Sequence, residues 1–174
     1  SIMYKTLKEV TQTATQLNMT IGAFNTHNLE MMPEMIRAAK ELGVPIIIQT
    51  SIATAKYIGY KVMVTVAKEM AEDEMVDVCL HLDHAKDFDE IKAAIDAGFS
   101  SVMFDGSALP FKENIAKTKM VVAYAHAHGA SVEGELGTIG GTEEGICVSE
   151  DDKKYTRPQD AAIFVKETNV DALA

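Results

Sequence analysis

The stretch Val76-Asp77-Val78-Cys79-Leu80-His81-Leu82-Asp83-His84 decides the fold that this sequence predicts. It begins as an apolar run of β-branched and aliphatic residues, which is typical of a buried strand, and it ends with a carboxylate beside an imidazole. An unpaired carboxylate in a protein interior is costly or shifts its pKa, so core packing alone does not explain this ending. The pair Asp83 and His84 therefore indicates proton transfer beside a metal ion.

Strand and helix patterns alternate on both sides of this stretch. Predicted strands cover 21–25, 45–51, 76–82, 101–105 and 131–135, and a sixth begins at 171–174. Predicted helices cover 3–17, 29–42, 53–70, 87–97, 112–126 and 156–168 with Thr156 as the cap. This order implies parallel strands joined by right-handed crossovers, in either an open doubly wound sheet or a closed barrel.

The polar ends of the strands favour the barrel. Each of five predicted strands ends in a polar residue that period-two alternation places on the inner face: Asn25, Ser51, Asp83, Asp105 and Glu135. A (β/α)₈ TIM barrel gathers such ends at one mouth, but it typically needs about 250 residues. We therefore expect residues 1–174 to form a single domain that is the N-terminal portion of such a barrel, with the first five βα units and the start of the sixth strand.

Charge and composition exclude several classes of partner. The formal net charge of −10 argues against binding to nucleic acid or to an anionic membrane, both of which need a basic surface. The two cysteines, Cys79 and Cys147, fit no metal-binding or redox spacing, and we expect both to be reduced. Neither a signal peptide nor a membrane span is evident, so a cytoplasmic protein is predicted.

Several ordered motifs together resemble a known enzyme family. They are Asn25, Ser51, the strand end His81-Leu82-Asp83-His84, Met103-Phe104-Asp105-Gly106-Ser107 and Glu133-Gly134-Glu135-Leu136-Gly137. With these in view, the sequence resembles the class II zinc-dependent ketose-bisphosphate aldolases, in the branch that contains fructose- and tagatose-bisphosphate aldolases. The match covers essentially the whole chain, and several motifs in order are far more specific than any one alone.

This resemblance implies roles for the metal-site residues. Asp83 is expected to be the acid/base that handles the C4 hydroxyl of the substrate, and His84 is expected to be a zinc ligand. Asp105 and Glu135 are expected to have metal-associated roles near the zinc, at an alternative or second position. The chemistry is consistent, because aldol cleavage needs a base at that hydroxyl and a Lewis acid at the ketone.

The resemblance also implies substrate contacts and a loop residue. Asn25 and Ser51 are expected to contact the substrate, and Glu143 is expected to exchange a proton at the dihydroxyacetone phosphate carbon from the glycine-rich loop 137–145. Glu144 is the competing residue for this last role. Two further zinc-ligand histidines and a phosphate site are expected beyond the end of the chain, so the predicted activity concerns the full-length protein.

The predicted reaction is reversible cleavage of a fructose- or tagatose-type ketose 1,6-bisphosphate to dihydroxyacetone phosphate and glyceraldehyde 3-phosphate. Zinc is the expected cofactor, with a second divalent ion and a monovalent cation as further ions that the resemblance allows. A sugar bisphosphate is the expected small-molecule partner, and a homodimer or homotetramer the expected assembly. The alternatives are a catalytically silent half-barrel that needs a partner, an aldolase for another ketose phosphate, and an isomerase or epimerase.

The other histidines have structural interpretations. His81 faces the barrel interior one layer below Asp83, where a hydrogen-bonded core role is predicted. His126 and His128 lie in the last turn of a helix, where their partial charge suits the helix dipole. His27 precedes a helix near the barrel mouth and is expected to make a loop hydrogen bond, with a substrate-side role as the alternative.

Overall fold

The computed structural model describes residues 2–138, 141–143, 146–148 and 155–174, with only the backbone described for the second and third of these ranges. Its helices are α1 Leu7–Leu17, α2 Met31–Leu42, α3 Ile52–Ile58, α4 Tyr60–Glu74, α5 Phe88–Ala97, α6 Phe111–Ala127 and α7 Pro158–Thr168. Its strands are β1 Ala23–Asn25, β2 Ile46–Thr50, β3 Val78–Ala85, β4 Ser101–Phe104, β5 Ser131–Gly134, β6 Gly141–Glu143, β7 Ile146–Val148 and β8 Ala172–Leu173.

Six of these strands form one parallel sheet in the order β1-β2-β3-β4-β5-β8. Each strand of the sheet pairs with the one that follows it in this order, while β6 and β7 form a separate antiparallel hairpin. Helices connect successive parallel strands, as in a (β/α)₈ barrel. The sheet contains six of the eight strands that such a barrel has. The structure thus confirms the predicted partial (β/α)₈ barrel.

The helices pack their apolar stripes on the outer face of the sheet. In α2, Met32, Ile36 and Ala39 follow helical spacing and are buried in one cluster with residues such as Ile48 and Leu80 of the strands. Burying each large aliphatic side chain of this layer contributes about 1.5–3 kcal/mol to stability. In the part of the chain that the structure describes, no helix combines the length with the apolarity that crossing a bilayer demands.

A smaller apolar cluster closes the N-terminal end of the strands from inside. Leu7 and Val10 of α1 pack against Ile47 of β2 and Cys79 of β3, and all four side chains are buried. These strand residues alternate with the outward-facing ones of the outer layer, as a pleated strand requires. Helix α1 therefore covers one end of the half-barrel, which we call the closed end; the other end, at the C-termini of the strands, is the mouth.

The first predicted helix was too long at its N-terminus. Residues 3–5 run beside β3 instead, because Val78 donates its N–H to the Met3 carbonyl at 2.9 Å and accepts from the N–H of Lys5 at 2.8 Å. The helix then begins after Thr6, whose hydroxyl accepts from the N–H of Glu9 at 3.2 Å in a capping box. Backbone pairing with the sheet thus replaces the first helical turn.

Two other predicted boundaries were wrong. The helix predicted over 53–70 is two helices, because Gly59 has a φ of 102°, which no helix accommodates. The N-cap position of the last helix is Arg157, whose side chain makes no capping hydrogen bond, and the predicted cap Thr156 instead donates its hydroxyl to the Leu136 carbonyl at 3.0 Å. The proline at Pro158 is in the first turn, as predicted.

Candidate active site

An irregularity in β3 brings Asp83 and His84 to the mouth together. Neighbouring residues of a regular strand point to opposite faces, so alternation alone would separate this pair. The register between β3 and β4 shifts between Leu82 and Ala85, and His84 has a left-handed φ of 48°. Such a conformation costs on the order of 1–3 kcal/mol in a residue with a side chain and is common at functional sites. The distortion turns the His84 ring toward Asp83 and toward Glu135 after β5.

Three side chains at the mouth form a candidate metal centre. His84, Asp105 and Glu135 each offer one ligand atom, and these atoms lie within 4.8 Å of one another. His84 Nε2 and Glu135 Oε2 are 3.4 Å apart. Two ligands of a tetrahedral zinc with bonds of about 2.1 Å are separated by roughly 3.4 Å, so this pair already has a suitable spacing.

The environment of Glu135 supports the same assignment. Its Oε2 atom is buried and accepts no hydrogen bond from the described residues, although it lies 3.4 Å from His84 Nε2. A buried carboxylate oxygen that accepts no hydrogen bond is unfavourable unless a cation compensates it. The mixed nitrogen and oxygen donor set of His84, Asp105 and Glu135 fits a divalent ion such as zinc.

Asp83 is held in its ionised form beside this centre. Its Oδ1 lies 3.0 Å from His84 Nδ1. Burial tends to raise the pKa of Asp83, but the hydrogen bond from His84 and the charges of His84 and His81 together lower it below its usual value. Asp83 is therefore a carboxylate at neutral pH and can accept a proton. Because Asp83 contacts Nδ1 of His84, the other ring nitrogen, Nε2, is the one directed at the candidate metal centre.

A hydrogen-bonded layer lies beneath the mouth. His81 is 2% exposed, and its Nδ1 is 2.7 Å from the Ser101 hydroxyl while its Nε2 is 3.0 Å from Glu133 Oε2. The hydrogen bond to Ser101 confirms the predicted core role of His81, whereas Nε2 lies near Glu133 without making a hydrogen bond. His81 precedes Asp83 by two residues on β3, so this layer lies one step below the mouth.

Asp105 is oriented by the residues that follow it. Its Oδ1 accepts from both the backbone N–H and the hydroxyl of Ser107, at 3.1 and 2.6 Å. Its own N–H donates to the Ala85 carbonyl at the end of β3. One carboxylate oxygen of Asp105 is thus fixed by hydrogen bonds within its own loop. The backbone of Asp105 is fixed by a hydrogen bond to the end of β3.

The predicted substrate residues lie at the ends of the first two strands. Asn25 is the last residue of β1, is exposed, and is in register with Gln49 of β2. Ser51 follows β2 and caps α3, because its Oγ accepts from the N–H of Thr54 at 3.2 Å. The structure therefore places both residues at the C-terminal ends of β1 and β2, and their substrate roles stay predictions.

The predicted loop residues lie in the glycine-rich loop, for which the structure describes only parts of the chain. Glu143 is the last residue of β6, so the glycine-rich loop contains a short hairpin that the sequence did not predict. Only its backbone is described, and its catalytic role stays a prediction. Its competitor Glu144 lies outside the described residues.

Sequence reasoning missed Asn114 on α6. It is 1% exposed, donates from Nδ2 to the Glu135 carbonyl at 2.9 Å, and accepts at Oδ1 from the Thr118 hydroxyl at 3.0 Å. The available signal was its spacing, since Asn114 and Thr118 continue the buried stripe of Val121 and Ala125. Polar residues on an apolar helical face need a partner, and here the partner is the backbone of a site residue.

Comparison with known proteins agrees with this geometry. The family described as fructose-bisphosphate aldolase class-II matches residues 5–174. A fructose-bisphosphate aldolase of Giardia intestinalis is 45% identical over 172 residues, covering 97% of this chain and 52% of the relative. A fructose-bisphosphate aldolase of Geobacillus stearothermophilus is 42% identical over 171 residues, covering 97% of this chain and 59% of the relative.

Solved structures show the same likeness. The YdjI aldolase from Escherichia coli K12 superposes with a TM-score of 0.80 at 32% identity, covering 98% of this chain and 60% of that one. The fructose-bisphosphate aldolase of Campylobacter jejuni superposes with a TM-score of 0.75 at 28% identity, covering 95% of this chain and 54% of that one. The chain thus spans little more than half the length of the relatives it matches. With a match over nearly all of its residues, it belongs to the class-II fructose-bisphosphate aldolase family.

Proposed function

We propose that the full-length protein catalyses metal-dependent, reversible aldol cleavage of a ketose 1,6-bisphosphate to dihydroxyacetone phosphate and glyceraldehyde 3-phosphate. The observation that carries this proposal is the mouth cluster, in which an ionised Asp83 adjoins three candidate metal ligands whose ligand atoms lie within 4.8 Å of one another. Family membership supports the reaction class. A base and a metal centre side by side are what aldol cleavage without a lysine Schiff base requires.

Asp83 acts first in the cleavage direction. As a carboxylate it accepts the proton of the C4 hydroxyl, the C4 oxygen becomes the aldehyde carbonyl, and the bond between C3 and C4 breaks. The electron pair stays on the dihydroxyacetone phosphate half. In the condensation direction the protonated Asp83 returns its proton to the new hydroxyl. The contact between Asp83 and His84 keeps this group in its basic form between turnovers.

His84, Asp105 and Glu135 would hold the metal. When bound there, a divalent ion supplies Lewis acidity that stabilises the negative charge developing on the ketone half of the substrate. These residues would determine the position of the ion. The β3 distortion orients His84 toward the mouth, and Ser107 orients Asp105.

The remaining roles complete the proposed site. Glu143 exchanges the proton at the dihydroxyacetone phosphate carbon, while Asn25 and Ser51 contact the substrate at the ends of β1 and β2. Zinc as the ion, a second divalent ion, a monovalent cation, tagatose bisphosphate as a substrate, a homodimer or homotetramer, a cytoplasmic location and a single domain over residues 1–174 stay predictions.

The test measures dihydroxyacetone phosphate release from fructose and tagatose bisphosphates by the zinc-loaded full-length protein, with and without chelator. We expect cleavage that the chelator abolishes and that Asp83→Ala lowers by about 100-fold to 10,000-fold, the usual contribution of a positioned acid/base. The matched control is Asp89→Ala, which removes an exposed carboxylate early in α5 and should leave activity unchanged. Activity indifferent to both chelator and Asp83→Ala would overturn the proposal.

The same assay separates the two loop candidates and the alternative reactions. Glu143→Gln should lower activity by about 100-fold or more, and Glu144→Gln should not. The reverse result would move the role to Glu144. A rearranged but intact sugar phosphate would indicate an isomerase or epimerase, and an inert zinc-loaded protein would favour the silent scaffold.

A further inference from the structure

We propose that Asn114 is a positioning residue for the metal centre: its side-chain amide joins the strand ends that carry Asp105 and Glu135 and sets the distance between these two ligands. The inference rests on the proposed metal site. It concerns a residue of α6 that lies outside the sheet and acts on the ligands through their backbone.

Regular pairing between β4 and β5 stops below the candidate ligands. The last paired residues are Met103 and Glu133. Beyond them the two strand ends are tied to opposite neighbours, since Asp105 donates its N–H to Ala85 at 2.9 Å and Leu136 donates to Ala174 at 3.0 Å. The ladder that fixes the distance between β4 and β5 has therefore ended before the two ligands are reached.

The Asn114 amide lies between these strand ends. Its Nδ2 donates to the Glu135 carbonyl at 2.9 Å, which anchors the backbone of one ligand. Its Oδ1 packs against Gly106, the residue after the other ligand, so closely that a Cβ on Gly106 would stand only 2.3 Å away. One planar amide is thus in contact with both ligand-bearing segments.

The amide is itself held rigidly. Asn114 is 1% exposed, and the Thr118 hydroxyl one turn later donates to its Oδ1 at 3.0 Å. Because the Glu135 carbonyl can only accept, it fixes which end of the amide carries the N–H group, and the Thr118 hydroxyl then holds the oxygen end in place. Because Asn114 is uncharged, its effect on the ligands is one of geometry rather than of charge. Residues that orient metal ligands in this way typically contribute about 10-fold to 100-fold to metal affinity.

The test measures metal affinity and ligand geometry in the full-length protein, independently of turnover. Zn²⁺ affinity is obtained by competition with a chromophoric chelator, and the visible absorption of the Co²⁺-loaded protein reports the coordination geometry. We expect Asn114→Ala to weaken Zn²⁺ binding by about 10-fold to 100-fold and to alter the Co²⁺ spectrum. Thr118→Val, which removes only the hydrogen bond that holds the amide oxygen, should shift both readouts in the same direction by a smaller amount.

The matched control is Thr168→Val in α7. Thr168 is comparably buried and donates to the Phe164 carbonyl at 2.7 Å, a hydrogen bond within α7 that involves neither Asp105 nor Glu135. It should lower the melting temperature of the metal-free protein about as much as Thr118→Val does, with affinity and spectrum unchanged.

Wild-type affinity and spectrum in Asn114→Ala would overturn the inference, as would equal shifts in Thr118→Val and Thr168→Val. If Asn114→Ala fails to fold, the comparison of these two threonine variants decides. A wild-type protein that binds neither Zn²⁺ nor Co²⁺ would instead overturn the proposed function, and this inference with it.

Discussion

At the closed end of the half-barrel, Leu7 and Val10 seal the strands against Ile47 and Cys79 with apolar side chains that are buried. At the mouth, the same sheet presents Asp83, His84, Asp105 and Glu135, and the side chains of Asp83, His84 and Glu135 keep between 17% and 23% of their surface exposed. Burial is nearly complete where only stability is needed, and it is partial where groups must meet a substrate. Along β3 the inner face therefore changes from core at Cys79 to site at Asp83, four residues later and roughly 13 Å away.

The two ends also differ in backbone regularity. Near the closed end β2 and β3 pair in unbroken register from Ile46 and Val78 onward. At the mouth the register of β3 shifts and His84 takes a left-handed conformation. The strain of the mouth is small beside the apolar layers that flank the sheet, which explains how the chain tolerates it.

The largest expected effect falls on the closed end. Leu7→Ala should lower the free energy of unfolding by about 2–5 kcal/mol, because it removes a buried side chain and leaves a cavity. The control Leu17→Ala lies in the same helix but is 62% exposed, and it should change stability by less than about 0.5 kcal/mol. Denaturant unfolding measures both. Loss of activity per folded molecule in Leu7→Ala would show that the two ends are not independent.

A smaller effect isolates the strain at the mouth. His84→Gly and His84→Ala remove the same ring and its contacts, but only glycine adopts the φ of 48° without cost. In the metal-free protein the glycine variant should therefore be more stable than the alanine variant by about 1 kcal/mol. Thermal or denaturant unfolding of the pair gives this difference. Equal stabilities would mean that the left-handed conformation is not maintained without the imidazole.

The smallest effect is an expected absence of reaction at the closed end. Burial raises the pKa of the Cys79 thiol to about 12. At pH 8 roughly one molecule in ten thousand then carries the thiolate, so alkylation of native Cys79 should be negligible. Peptide mass spectrometry after iodoacetamide treatment, in buffer and in urea, tests this. Rapid native labelling would show that α1 does not seal the strands.

The raised pKa of the Cys79 thiol also predicts how the stability of the protein depends on pH. A folded-state pKa raised above the unfolded value of about 8.5 gives stability that is present below that pH and is lost progressively as the pH rises toward 12. Asp83 behaves oppositely, since its lowered pKa gives stability that is lost on acidification through the folded-state value. The closed end is thus sensitive to alkali and the mouth to acid.

Much of this organisation follows from sequence patterns. Alternating apolar runs predicted the parallel strands, and period-two counting placed Asp83, Asp105 and Glu135 on one face, where the structure has them. The motifs that resembled the aldolases led to the family that the comparisons show. These features depend on regular secondary structure, whose periodicity is visible in the sequence.

What the sequence did not predict depends on departures from regular geometry. Period-two counting cannot produce the β3 distortion that brings His84 beside Asp83. The strand-like pairing of residues 3–5 with Val78 depends on a partner 73 to 75 positions away, and Asn114 serves a backbone carbonyl 21 positions away. Periodicity can show that a residue such as Asn114 is buried, but it does not show which distant group is its hydrogen-bond partner.

Helix α1 also constrains the order of folding. Its Lys8 N–H donates to the hydroxyl of Ser131, a residue 123 positions later, and the Tyr4 hydroxyl donates to the carbonyl of Gly98. At about 5–20 residues per second, a ribosome needs roughly 6–25 s to deliver Ser131 after Lys8. Throughout that interval the apolar stripe of the first helix has no completed surface to cover. The segment that seals the closed end is therefore synthesised before the strands that it covers, and it can dock only after they have been made.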